Sequence, residues 1–477
     1  MQGMPFLGEI VVLSEILKME TLKYAILGSL NVETRNLWAL LRAHYQLIGV
    51  LIGVFLVSVS TGIYTNWDAQ LEFEAASNVA TRGFPFVSSG FMINQPPLGF
   101  YMDAPVFHFF GLSYENGVGF VSLFGLGCVA LVYVLGSLLY GKQTGLVAAA
   151  LFGMVPWQVY MSRIYLIDVQ SLFFSLLFVV LGVLAVRKNS ERLLLFCGIA
   201  FAAALMTKLF AVLLLVPLLL IVFFQRKEGG FRLTLRKLAI FLVPAVVLHA
   251  VWYGLFAPQN FFAVYFSTDF SHPVLIDNPS LVFLPRLLVG SAGWFLLGAV
   301  GFSLALSIAY KGLFSKMPRM DALCLATILA VAGLDLLFVF GFHLLVPYVS
   351  AFKYNYFALP FFCLLAASLA GKSVLLVQSI DLKGWIGKFK LLLVGLGLFL
   401  LFASLVESLA FLLEWDGFVA FEVDSAGHYF PFNVFSAPNE GFFHVFHYAA
   451  VVLIVISSLF PFIIRGFRRV LSRWRSL

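Results

Sequence analysis

Long apolar runs, each broken by a short polar or basic interruption, recur along almost the whole chain. Runs of roughly 18 or more apolar residues are long enough to cross a bilayer as helices. They fall at about 45–63, 117–139, 143–160, 168–186, 192–206, 208–225, 236–256, 286–310, 321–345, 349–371, 388–413 and 444–464. The 192–206 and 208–225 runs are the least separated, because Thr207-Lys208 alone divides them. Between the first two runs, Ala69 to Thr81 (AQLEFEAASNVAT) is polar with helical spacing. The pattern predicts an all-α polytopic membrane protein of about 12 transmembrane helices with a short helical first outer loop.

Composition agrees: 62% of the 477 residues are hydrophobic, only 11% are charged, and mean hydropathy is +1.00, which leaves little mass outside the membrane. The four cysteines (Cys128, Cys197, Cys324, Cys363) all lie in apolar runs, without metal-ligand spacing, and read as packing residues. No Gly-rich phosphate loop with a following Lys-Ser/Thr occurs, so ATP is not expected to drive any chemistry.

Charge sets an orientation. With the N-terminus cytoplasmic, 25 of the 30 Lys and Arg fall in inner segments, including Lys372 in the 372–390 segment. The five exceptions are Arg82, Arg163, Lys208, Arg286 and Lys353. Acidic residues gather on the other side, among them Asp68, Glu72, Asp103, Asp168, Asp269, Asp277 and Glu422. Net charge of +7 is thus explained by anchors beside anionic lipid, not by nucleic-acid binding. Three parts are expected. Residues 1–44 form a cytoplasmic or interfacial segment, too short and mixed in its apolar run (Met4 to Leu13) for a span. Residues 45–371 form a transmembrane core with a first outer loop at 64–116. Residues 372–477 add C-terminal helices with an outer loop at 414–443.

The polar residues at the outer helix ends carry the candidate chemistry. Asp68 follows the first span, and Glu72 lies one helical turn later. Gln95-Pro96-Pro97-Leu98-Gly99-Phe100-Tyr101 then re-enters apolar sequence through a stiff, extended turn. Ser162-Arg163 and Asp168 bracket a very short outer turn, and Asp168 opens the fourth span. An ionisable residue at that depth is by default a functional-site hypothesis. Lys208 opposes the charge rule and so is not an orientation signal, although snorkelling at a helix end is the bland alternative. His272, His343 and His428 are outer-side helpers at most.

This series is similar to the type-C membrane glycosyltransferases: an acid after span one, a helix, a Pro-Pro-Leu-X-X-Tyr turn, Ser-Arg-X-X-X-X-Asp opening span four, and Thr-Lys between spans five and six. Within them it most resembles the dolichyl-phosphate-mannose protein mannosyltransferase branch, with its relatives such as the lipid A aminoarabinose transferase. Lys353-Tyr354-Asn355-Tyr356-Phe357-Ala358-Leu359-Pro360 resembles that branch's later Arg-Tyr-X-X-X-X-Pro helix start. The resemblance spans roughly residues 45–370. It departs at Asp68-Ala69, where the family usually has Asp-Glu, and at Asn94-Gln95, where it often has Glu-Lys or His.

The resemblance implies a glycosyltransferase moving a sugar from a polyprenyl-phosphate donor to a protein, lipid or glycan acceptor on the extracytoplasmic face. It implies Asp68 as general base in an inverting displacement. Arg163, Lys208 and Lys353 are expected at the donor phosphate, with Gln95 and Tyr101 near substrate. Asp168 is expected to orient Arg163 or bind acceptor. The resemblance fixes no cofactor and leaves room for a divalent ion, which, if bound, would sit on Asp68 and Asp168. Two rival readings remain at this level: a secondary transporter, which would need acids inside spans where only Asp335 and Glu407 lie, and a non-catalytic polyprenyl-lipid-binding or flippase-like protein.

Overall fold

The structure, a computed structural model, describes residues 34–65, 67–88, 95–227, 231–258, 293–314, 317–336, 355–379, 384–413, 433–436, 440–460 and 464. The chain is almost entirely helical, and each of the twelve predicted apolar runs contains a described helix. Among the described residues six helices are long and apolar enough to cross a membrane unbroken, or seven with one bent pair. This is a multi-pass membrane protein.

Helix α1 (Thr34–Ser60) leads into strand β1 (Ile63–Thr65) and helix α2 (Trp67–Arg82). α2 is the polar helix expected from its sequence. Helix α1 runs through the 44/45 boundary; residues 1–33 lie outside the described residues. After the Pro-Pro turn come α3 (Leu98–Phe110) and the long span α4 (Tyr114–Tyr140), which Ser113 caps by accepting from the Asn116 amide at 3.2 Å. The third predicted span is broken: α5 (Lys142–Met154) meets α6 (Pro156–Ser162) at 65°, because Pro156 has no amide to continue the ladder.

Helix α7 (Asp168–Lys188) ends on Asn189 in the left-handed conformation, and Ser190 then caps α8 (Glu191–Thr207). Beyond Lys208 a 3-10 turn (Leu209–Leu214) opens α9 (Leu215–Lys227), so the weakly separated pair of runs is two helices divided at Thr207-Lys208. The remaining helices are α10 (Leu235–Val251), α11 (Trp294–Ala309), α12 (Lys311–Phe314), α13 (Met317–Leu336), α14 (Leu359–Gln378), α15 (Trp385–Leu413) and α16 (Glu440–Ser458). α7 and α14 are buried in the bundle, while α10 and α15 present broad apolar faces outward, as lipid-facing helices do.

Chain ends meet. α1 packs along α16, and a Cβ on Gly53 would lie 2.5 Å from Ile454 Cγ1 and 3.1 Å from the Ala450 carbonyl. Small residues let two membrane helices approach backbone to backbone where no hydrophobic force drives them together. Strand β2 (Asn433–Ser436) pairs antiparallel with β1, with Tyr64 opposite Val434 and Thr65 opposite Asn433. The C-terminal part is thus joined to the start of the first loop.

Two expectations about charges inside the bundle need correction. Lys372 is not an inner-surface anchor. It is fully buried in α14, where its Nζ donates to Asp321 Oδ2 (2.7 Å), Ser303 Oγ (2.6 Å) and the Ser303 carbonyl (2.8 Å). Asp321, in α13, is thus a further acid within the bundle, also accepting from Tyr140 at 3.0 Å and from Ser307. Glu407 is structural. Its two oxygens accept from the Trp294 and Phe295 amides (2.9 Å each) and cap α11. The side chain of Asp335 lies outside the described residues.

Candidate active site

Three short segments converge at one end of the bundle: β1 with the start of α2, the start of α3, and the 163–168 turn. The Tyr64 amide donates to the Arg163 carbonyl at 2.9 Å, and Tyr64 bridges Ile164 in parallel. Strand β1 therefore lies beside the turn that precedes Asp168. Asp68, in the first turn of α2, is half-buried there. A carboxylate at that position is favoured by the helix dipole, which gives a structural reason for an acid in addition to any chemical one.

Glu72 lies one turn later on the same helix. It is 4% exposed and accepts from the Ile167 amide at 2.9 Å, so α2 is tied to the residue before Asp168. Asp168 is fully buried, and its Oδ2 pairs with Lys208 Nζ at 2.6 Å; both side chains are within 5% of complete burial. Asp168, expected to orient Arg163 or bind acceptor, forms an ion pair with Lys208. Arg163 donates through Nε to the Thr61 carbonyl at 3.3 Å. Burial pulls the guanidinium below its ordinary value, opposed by Tyr64, yet arginine stays charged.

The Pro-Pro turn packs directly on this centre. A Cβ on Gly99 would fall 2.6 Å from Ile167 Cγ2 and 2.8 Å from Gln170 Oε1, so only glycine lets α3 approach so closely. Gln95 is half-buried at the entry to the turn. The hydroxyl of Tyr101 donates to the Gly83 carbonyl at 2.7 Å and its ring meets Trp252 edge-on at 5.6 Å. Tyr101 thus ties the end of α2 to α3 with its polar atom.

In the sequence Asp103 is only one outer acid among many. It is fully buried on α3, accepting from Tyr165 Oη at Oδ2 and from Gln170 Nε2 at Oδ1 (2.7 Å). Burial pushes its carboxyl up to about 8, with the Tyr165 and Gln170 hydrogen bonds working against that and the charge of Glu72 adding to it. The sequence does carry a signal: Gly99, Phe100, Asp103 and Phe107 share one buried helical stripe, where an acid must find donors.

A divalent ion on Asp68 and Asp168 does not fit these residues. Asp168 already faces an ammonium, and among the described residues no group of three or more His, Cys, Asp or Glu side chains could hold a metal. Lys353, together with His272, His343, His428, Asp269, Asp277 and Glu422, lies outside the described residues.

Residues 94–253 match the family model described as dolichyl-phosphate-mannose-protein mannosyltransferase. No curated protein sequence matches the chain. Among solved structures, apo ArnT from Cupriavidus metallidurans is similar at 14% identity, covering 88% of this chain and 78% of that one, with a TM-score of 0.51. ArnT from the same organism bound to undecaprenyl phosphate matches at 13% identity over 88% and 77%, TM-score 0.47. The archaeal oligosaccharyltransferase AglB from Archaeoglobus fulgidus, in complex with an inhibitory peptide and a dolichol-phosphate, matches at 12% identity over 81% and 56%, TM-score 0.46. The fold is shared with apo ArnT, and the matched segment holds the Pro-Pro turn, Arg163, Asp168 and Lys208. The chain is a multi-pass membrane protein that shares the fold of apo ArnT and matches the mannosyltransferase family model over residues 94–253.

Proposed function

We propose that this protein transfers a sugar from a polyprenyl-phosphate donor to an acceptor on the extracytoplasmic face, with inversion at the anomeric carbon. What supports the reading is that strand β1, which ends three residues before Asp68, lies beside the turn that carries Arg163 and leads into the buried Asp168–Lys208 pair. A phosphate anion needs cations at the depth of the membrane interface, and a nucleophilic hydroxyl needs a base. In support, Lys208 has three donors and spends one on Asp168; among the described residues no other partner takes the remaining two.

In the reaction the acceptor oxygen bonds to the anomeric carbon while the bond from that carbon to the phosphate oxygen breaks. The acceptor's proton passes to Asp68, and the leaving polyprenyl phosphate carries its new negative charge against the Arg163 guanidinium and the Lys208 ammonium. Asp168 holds Lys208 in place. Lys353 is a further phosphate-binding cation, and Gln95 lines the substrate side of the Pro-Pro turn. The acceptor is a protein, lipid or glycan hydroxyl.

A general base of this kind supplies about 10²–10⁴-fold, so Asp68→Asn lowers transfer by at least about a hundredfold while the protein still folds. The assay offers membranes holding the full chain a panel of polyprenyl-phosphate hexoses and an aminoarabinose donor, and measures free polyprenyl phosphate released. Release from one donor by wild type and its near loss in Asp68→Asn is the expected result. Wild-type release by Asp68→Asn removes Asp68 as the base, and no release from any donor by wild type removes the enzyme reading.

A further inference from the structure

A buried carboxylate without a cation is expensive, so its retention at position 103 asks for a reason. Asp103 sits on α3, and its two donors come from either side of Asp168: Tyr165 three residues before it and Gln170 two residues after it. Glu72 on α2 takes the Ile167 amide between them. Two acidic side chains from the two first-loop helices therefore both hold the segment around this turn. The Tyr165 ring is held by Phe73 at 5.6 Å, Phe107 at 6.3 Å and Tyr114 at 6.0 Å between centroids. Its amide donates to Tyr114 Oη (3.2 Å), which in turn donates to the Tyr64 carbonyl (2.8 Å) in β1. The polar chain thus runs from Asp103 through Tyr165 and Tyr114 to the strand that ends just before Asp68.

We infer that Asp103 is a positioning residue for the transfer: by holding Tyr165 and Gln170 it fixes the 163–168 turn, and with it Arg163 and the Asp168–Lys208 pair, relative to Asp68. The inference rests on the proposed function for its catalytic part alone; the grip itself is a property of the fold. Proximity effects make small displacements costly, since about 1 Å of misplacement from a distant change can cost roughly a hundredfold.

The grip is made by hydrogen bonds, not by charge, and this separates two substitutions. Asp103→Leu removes both acceptors and leaves Tyr165 Oη and Gln170 Nε2 buried without a partner. Asp103→Asn keeps both bonds once the Gln170 amide turns over. The substituted amide would then accept from Tyr165 and donate to Gln170 Oε1, an atom that is buried with no hydrogen-bond partner as the structure stands.

The test uses the full chain in detergent or native membranes, with the polyprenyl-phosphate sugar that wild type accepts. Asp103→Leu is expected to lower kcat by about tenfold or more with donor KM within about threefold, and Asp103→Asn to stay within about threefold of wild type in both. Hydrogen exchange of the 163–170 amides, which needs no substrate, is expected to speed up in Asp103→Leu and not in Asp103→Asn. If Asp103→Leu does not fold, Tyr165→Phe removes one arm of the grip alone and should speed the same amides and lower kcat. Unchanged kcat and exchange in the Leu or Phe variant overturns the inference, as does an Asn variant as damaged as the Leu one. A wild type that transfers no sugar, with the exchange shift intact, ends the catalytic reading and leaves the grip standing.

Discussion

Two buried lysine–aspartate pairs in this molecule have nearly the same length and opposite surroundings. Lys372–Asp321, at 2.7 Å, is wrapped: all three ammonium donors are used, and the carboxylate also accepts from Tyr140 and Ser307. Lys208–Asp168, at 2.6 Å, uses one ammonium donor on the described residues. The first pair joins α4, α11, α13 and α14 and has nothing left to offer a ligand. The second stands at the start of α7, next to the turn that carries Arg163, and among the described residues two of the Lys208 donors take no partner. Saturation marks a pair that holds helices together; an unsaturated cation marks one that can meet a substrate.

The largest effect separates them by breaking each. Asp321→Leu strands a buried ammonium, and removing one partner of such a pair costs about 3–5 kcal/mol, read as a large fall in thermal midpoint in detergent. Replacing both members by apolar residues of similar volume is often neutral, so Lys372→Met with Asp321→Leu should regain most of that loss. This double variant should also keep wild-type sugar transfer. The matching double variant, Lys208→Met with Asp168→Leu, should regain stability in the same way and lose transfer. Equal activity in the two double variants would erase the distinction between them.

A smaller effect concerns Asp103, which has no cation beside it among the described residues. Asp103 titrates at about 8 in the folded protein against an ordinary value of 3.8, because burial disfavours its charged form. Between those values the folded protein holds a proton that the unfolded chain has released. Its contribution to stability is therefore full below about 3.8, falls as pH rises through that window, and levels off above about 8. Asp103→Asn removes the titration, so the thermal midpoint of wild type relative to the Asn variant should decline from pH 5 to pH 8. A gap that stays flat or widens over that range contradicts the buried, cation-free setting of Asp103.

The contrast also explains what the sequence can and cannot reveal. Asp68, Arg163, Asp168 and Lys208 are legible because a charge at the edge of an apolar run stands out, and because Lys208 breaks the charge rule. The helical bundle itself is legible from run lengths. Partnerships are not. Asp103 lies 62 and 67 residues from its donors, and Lys372 lies 51 from Asp321, so no local pattern links them. Lys372 reads as a surface anchor because a lysine near a helix end ordinarily is one, and only packing shows that it turns inward. The β1–β2 pairing is equally silent, since strands of three and four residues are too short for alternation to be read.

The smallest expected effect comes from a third pair, which lies at the helix-end turns linking α7, α8 and α10. Arg236 Nη2 meets Glu191 Oε2 at 2.8 Å, nearly as short as the other two, but the side chains are 78% and 37% exposed. Water already solvates both groups, and salt screens what attraction is left, so such pairs contribute below about 1 kcal/mol. The same corner has sturdier supports in the left-handed Asn189 cap, whose side chain accepts from Lys237 at 2.6 Å, and in Lys237 over the Phe231 ring at 4.4 Å. Arg236→Ala should therefore move the thermal midpoint far less than Asp321→Leu does, and the shift should vanish as salt is raised. If it rivalled the Asp321 variant, distance would outrank burial, and the reading of the two interior pairs by their surroundings would fail with it.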